Sequence, residues 1–209
     1  DGAAVDLLFN SADQGGAVYV DSSSSLVLEQ SKLLANQATD GGGVNSLGSV
    51  SLTNVIVGFN SATGDGGGLL LVNAAATLTN TVLAGNTGTG LYLSGTSSTG
   101  TVRNSIIYDN SAYGVLVDSG SSYSGTYTDV YGNTTANYSG TANVTGVNGN
   151  ISSDPKFTAY TDDGDMSNDN FGLQTSSPGV NTGNPTASYN DADGTRNNMG
   201  AYGGPGSNW

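Results

Sequence analysis

Apolar residues come in bursts of two to five along this chain, as in Ala17-Val18-Tyr19, Leu26-Val27-Leu28 and Leu33-Leu34, separated by Gly, Asn, Ser, Asp and Thr. No burst has the length or the 3.6-residue periodicity of an amphipathic helix, so the pattern predicts short strands and turns. Within strands the side chains alternate: Val50, Leu52 and Asn54 share one face, Ser51 and Thr53 the other.

The bursts recur. Alignment on Asn10, Asn36, Asn60, Asn86, Asn110 and Asn133 gives spacings of 26, 24, 26, 24 and 23 residues. Three residues before each Asn stands an aliphatic one: Leu7, Leu33, Val57, Leu83, Ile107 or Val130. Gln30, Asn54, Asn80 and Asn104 form a second amide column, and Gly16, Gly43, Gly68, Gly90 and Gly114 a glycine column. A fixed period of this size marks a solenoid. The best partner of each strand lies one repeat away, which favours parallel stacking over hairpins, with right-handed connections.

The expected fold is all-β: a right-handed parallel β-helix of about six coils over residues 1–150, with an irregular C-terminal cap over residues 151–209. At roughly 4.8 Å per coil the stack is about 30 Å tall. The Asn column is expected to form an interior hydrogen-bonded ladder, Asn also supplying the left-handed backbone of a sharp corner. Glycine is expected to supply the same freedom at the second corner. Periodicity fails from Ile151 onward, where all the prolines fall (Pro155, Pro178, Pro185, Pro205), as suits a cover over the last coil.

Charge narrows the partners. Four basic residues against 17 acids give a net charge of −13. That excludes nucleic acid and disfavours anionic membranes. No run is long enough for a membrane-spanning helix, so no membrane insertion is expected. With no Cys and scarce Lys, the Ser/Thr/Asn/Gly-rich chain reads as extracellular or cell-surface. Its start at Asp1, partway into a repeat with Val5, Leu7, Leu8 and Phe9 uncovered, suggests a piece of something longer. The expected partners are upstream coils of the same polypeptide or a second copy stacked head-to-tail.

The later segment carries Asp154-Pro155-Lys156-Phe157, Asp169-Asn170-Phe171-Gly172-Leu173, Ser176-Ser177-Pro178-Gly179-Val180-Asn181-Thr182-Gly183, Asp191-Ala192-Asp193-Gly194-Thr195-Arg196 and Met199-Gly200-Ala201-Tyr202-Gly203-Gly204-Pro205. This order resembles the terminal region of secreted bacterial β-helix proteins of the pectin-lyase-like superfamily. The Phe9-Asn10 and Phe59-Asn60 repeats, each followed by Gly-Gly and an apolar residue, are similar to those of polymorphic outer-membrane proteins and other autotransporter passengers. The resemblance implies a structural or adhesive element of a bacterial surface protein or fibre. It leaves open a carbohydrate-binding or carbohydrate-cleaving alternative.

Cleavage chemistry is thinly supplied. A lyase needs a positioned base and a cation. The chain has no His; among the repeats Arg103 is the only Arg and Lys32 the only Lys. Arg103 shares an outward column with Glu29, Thr53 and Thr79, and Lys32 stands above Asp6, where an ion pair is the simple expectation. Acids in the coils form no obvious hydrolytic pair. No catalytic residue is assigned.

Calcium is the one cofactor the acids suggest, at a corner shared by Asp13, Asp40 and Asp65, or at the Asp191/Asp193 turn, with solvated loop or tight-turn roles as the alternatives. Asp162-Asp163-Gly164-Asp165 reads as a solvated loop. Gly64–Gly68 lacks the Lys-Ser/Thr and helix of a phosphate loop. Thr77/Thr79 hint at an ice-binding rank that Arg103 interrupts. Among clustered tyrosines, Tyr108, Tyr127 and Tyr131 are candidate glycan contacts, or simply outward strand residues. Asn133, Asn137, Asn143 and Asn150 head glycosylation sequons that the composition also makes common by chance.

Overall fold

The computed structural model describes residues 4–161, 163 and 166–207. Of the acidic run at 162–165, only Asp163 is among them. The architecture is the parallel β-helix that the repeat predicts. A nine-stranded sheet is built around Ser25–Leu34 and Ser49–Gly58. In later coils these long strands divide into pairs such as Ala75–Thr79 with Val82–Ala84 and Thr99–Arg103 with Ile106–Tyr108. A six-stranded sheet stacks Val18–Val20, Val44–Ser46, Leu69–Val72, Leu91–Ser94, Tyr113–Val117 and Ala136–Ser139. Every pairing between coils in both sheets is parallel. Among the described residues no helix is long and apolar enough to cross a membrane.

Register explains the thin core. Leu33, Val57, Leu83, Ile107 and Val130 stack on one another inside and are at most 1% exposed. Val44, Leu69, Leu91 and Val115 do the same from the facing sheet. Each coil contributes a few side chains, and each fully buried aliphatic one adds roughly 1.5–3 kcal/mol.

At the corner between the sheets, Asn10 Nδ2 donates to Asn36 Oδ1 at 2.9 Å, Asn36 to Asn60 at 2.9 Å, and Asn60 to Asn86 at 3.1 Å. Asn86 donates to Asn110 and Asn110 to Asn133, both at 2.8 Å. The backbone N–H of each donor binds the same oxygen. Each amide from Asn36 onward also donates back to the aliphatic carbonyl of the previous coil, as Asn60 does to Leu33 at 2.9 Å. Asn137 receives Asn133 and closes the series.

The corner backbone differs from expectation. The left-handed conformation belongs to the residue before each ladder Asn: Phe9, Ala35, Phe59, Gly85, Asp109 and Gly132, with φ from 53° to 69°. The ladder Asn instead keeps an ordinary φ and aims both donors at the next coil. The glycine column is also a matter of space rather than φ. A Cβ on Gly68 would lie 2.4 Å from the Gly90 carbonyl oxygen and 3.2 Å from Asn86 Nδ2. The first coil is offset by one residue, since Val18 pairs with Val44 and so Ala17, not Gly16, stands beside Gly43.

The C-terminal segment corrects a second expectation. It covers the flank of the stack, not its end. The outward face of the long sheet is apolar at Leu34, Ile56, Val82, Ala84 and Ile106, and Phe157, Phe171, Met199 and Ala201 pack onto it. The second amide column, left-handed from Gln30 to Asn104, anchors this strap. Asn184 N–H donates to Asn104 Oδ1 at 2.8 Å, and Asn80 Nδ2 to the Asn198 carbonyl at 2.9 Å. Asn54 Nδ2 reaches the Gly203 carbonyl at 2.7 Å and Gln30 Nε2 the Gly206 carbonyl at 3.1 Å. The strap therefore runs back from the sixth coil toward the second. The last coil is closed from within: Tyr123 follows Gly100 in its column, Tyr138 follows Val115, and their rings meet at 6.0 Å.

Two substitutions test these roles by chemical denaturation. Asn60→Ala leaves the Asn36 donors and the Leu33 carbonyl unmatched and is expected to cost about 1–3 kcal/mol, with Ser61→Ala within about 0.5 kcal/mol of wild type. Gly68→Ala forces a contact that no rotamer relieves and is expected to cost about 1–3 kcal/mol or more.

Candidate functional site

Where the strap leaves the coils it folds against the outward tyrosines of the long sheet. Phe157–Ala159 pairs antiparallel with Asn170–Leu173. Gln174 fastens this piece through Nε2 to the Phe157 carbonyl at 2.9 Å. The result is a cleft of about 340 Å³ lined by Tyr108, Asp154, Lys156, Phe157, Tyr160 and Gln174. That volume is at the small end of the range for ligand sites.

Tyr108 and Tyr131 are register partners in adjacent coils, and their rings lie parallel within 3° at a centroid distance of 6.2 Å. Phe157 and Tyr160 meet Tyr108 edge-on at 5.7 and 5.2 Å. The Tyr160 hydroxyl donates to Asp109 Oδ2 at 3.1 Å. Burial first, then the Asp109 and Asp154 charges, raise the Tyr108 phenol above its ordinary range, so it remains a donor at physiological pH. Asp154 Oδ1 accepts the Lys156 N–H at 2.9 Å, and Lys156 Nζ reaches the Ser176 carbonyl at 3.4 Å. The cleft thus offers an aromatic platform, one carboxylate, one ammonium and one amide.

Of the predicted glycan contacts, the structure brings Tyr108 and Tyr131 together. Tyr127 sits elsewhere, at the preceding corner with φ 51°, its ring against Gly149. Sequence reasoning missed Lys156, Phe157, Tyr160, Gln174 and the acid Asp154 as lining residues. The Asp154-Pro155-Lys156-Phe157 run was visible, but nothing in it indicated which coil it would meet.

Other candidates are engaged in structure. The Arg103 guanidinium lies over the Tyr189 ring at 5.2 Å and donates to its hydroxyl, so this outward side chain is held by the strap rather than solvated. Lys32 pairs in register with Asp6 beside a pocket of about 290 Å³. Asn133 and Asn150 are buried and Asn137 holds the end of the ladder, leaving Asn143 as the exposed sequon.

The acids proposed for calcium have hydrogen-bond partners of their own. Asp13 Oδ1 accepts the Thr39 hydroxyl at 3.0 Å and Asp40 Oδ1 the Asp65 N–H at 2.9 Å. Gln14 is the residue that pairs with Asp40, so Asp13 lies one place off that column. Asp191 accepts the Gly204 N–H at 2.6 Å and the Asn198 N–H at 3.1 Å, and burial holds its carboxyl above the usual range. Asp193 closes a turn by accepting the Thr195 hydroxyl and N–H, which lower its pKa. Among the described residues no three acids converge on a common point. Excess chelator is therefore expected to leave the melting temperature unchanged, while Asp191→Ala costs about 1–3 kcal/mol by stranding two strap N–H groups. A melting point lowered by chelator would return these acids to a cation.

Comparison with characterised proteins and with solved structures returned no match. The model of the right-handed beta helix region matches residues 6–164, most of the chain and all of its coils. With its parallel register, inward aliphatic columns and Asn ladder, the chain belongs to the right-handed β-helix family.

Proposed function

We propose that this β-helix is an extracellular adhesive element of a bacterial surface protein or fibre, and that it holds a saccharide in the flank cleft. The observation that carries the reading is Tyr108, which lines the cleft with Asp154, Lys156 and Gln174 and whose ring lies parallel to that of Tyr131 in the next coil. Sugar rings present C–H faces that stack on aromatic surfaces, and hydroxyls that a carboxylate, an amide and an ammonium bind. The platform stands on paired strands, so little ordering cost accompanies binding. Net charge of −13 favours neutral over anionic glycans.

Binding suits the site better than cleavage does. Hydrolysis calls for two carboxylates flanking one bond, and among the described residues only Asp154 lines this cleft. The Arg a lyase would use is committed to Tyr189. The bacterial and extracellular parts of the reading rest on the likeness of the repeats and of the terminal segment. As to self-association, head-to-tail stacking requires an open cross-section at both ends. Tyr123 and Tyr138 fill the one at the sixth coil, which favours continuation with other coils over stacking of copies.

A glycan array probed with the whole chain tests the proposal. Saturable binding is expected to a neutral glycan, weakened at least tenfold by Tyr131→Ala. Tyr131 is 38% exposed, so this variant should melt close to wild type. No saturable binding, or equal binding by the variant, would remove the saccharide reading.

A further inference from the structure

Beneath the strap, the outward column of the long sheet runs Ile56, Val82, Ile106 and then Asp129. An acid occupies an aliphatic place and is 1% exposed. Its Oδ1 accepts the Ser153 N–H at 3.0 Å; its Oδ2 is buried and has no partner. Asp129 also bridges Ile151, the point at which the strap departs from the coils, and Asp154, Lys156 and Phe157 of the cleft follow directly. A buried carboxylate lacking a partner is costly, whereas its neutral form is far less so.

The titratable groups acting across this site are Asp154 of the strap and the Tyr138 phenol of the last strand of the six-stranded sheet. The Asp154 charge disfavours a second negative charge on Asp129, while Tyr138 stays neutral and has its own ionisation disfavoured by Asp129. Burial, and after it the Asp154 charge, pushes the Asp129 pKa to about 7 against the opposing Ser153 N–H. Burial and the Asp129 charge likewise push Tyr138 up to about 12.

We infer that Asp129 is a proton-operated latch on the flank cleft: its neutral carboxyl holds residues 151–157 against the sixth coil, and its ionisation releases them. The inference rests on the cleft being the binding site proposed above. In the unfolded chain the carboxyl ionises near 3.8, in the folded one about 7. The folded state therefore keeps a proton that the unfolded chain has lost. The stabilisation is complete below the lower value and is lost as pH rises through the higher. The strap is tightest in acid, loosens as pH rises from 3.8 toward about 7, and changes no further above that range.

Amide hydrogen exchange on the whole chain, corrected for the intrinsic pH dependence of exchange, reads the latch. Protection of residues 151–157 is expected to fall about tenfold between pH 6 and pH 8, with residues 55–58 in the coil interior unchanged. Asp129→Asn, neutral throughout, is expected to flatten that profile. Should this variant not fold, the contrast between the two segments in the wild-type chain decides. A flat wild-type profile, or the same slope in the variant, overturns the latch. Glycan binding with flat exchange would discard the latch and keep the cleft. PH-dependent exchange without glycan binding at any pH would do the reverse.

Discussion

A buried amide must find its partners inside the protein, and along the Asn ladder from Asn10 to Asn133 that partner is its own counterpart one coil along. That single requirement governs the rest. From Asn36 to Asn110 each ladder Asn consumes an oxygen above and a carbonyl below, so no coil is satisfied alone, and the cost of an unmatched polar group ties each of these coils to both neighbours. The aliphatic columns then fall into contact because the amides have already set the register. The glycine column is the space the amides need. Core, corner and close approach are consequences of one repeated bond.

The same chemistry serves the flank in a different way. The second amide column turns its side chains outward to non-repeating carbonyls and N–H groups of the strap. A sheet with one apolar outer face would otherwise expose Ile56, Val82 and Ile106 to water. Apolar burial pulls the strap down, and amides decide where along the stack it sits. The aromatic cleft arises at the end of this arrangement, where the strap has just left the coils and the outward column changes from aliphatic to Tyr108, Tyr131 and Asp129.

What could be read from the sequence follows the same division. Parallel stacking pairs each strand with a copy of itself, so the Leu33–Val130 column and the Asn ladder positions appear as simple recurrence. The left-handed corner does not, because Phe9, Phe59 and Asp109 share no side-chain chemistry that marks it. The course of the strap was also hidden. Its anchoring contacts join residues from 24 to 176 positions apart, with no repeat to set their register, and an expected end cover became a flank cover. Asp129 was visible as an acid in the column of Ile56, Val82 and Ile106, but it gains meaning only once that column is known to be covered.

Solenoids ordinarily gain and lose repeats freely, since each coil contacts only its neighbours. Here the strap touches the sixth coil through Ser153, the fifth through Asn104, and the third and second through Asn54 and Gln30. An inserted coil would leave the ladder intact and yet shift one set of strap anchors by a coil spacing, roughly 4.8 Å, against the others. The strap acts as a ruler. It converts the number of coils between the second and the sixth from an evolutionary variable into a fixed dimension of the molecule.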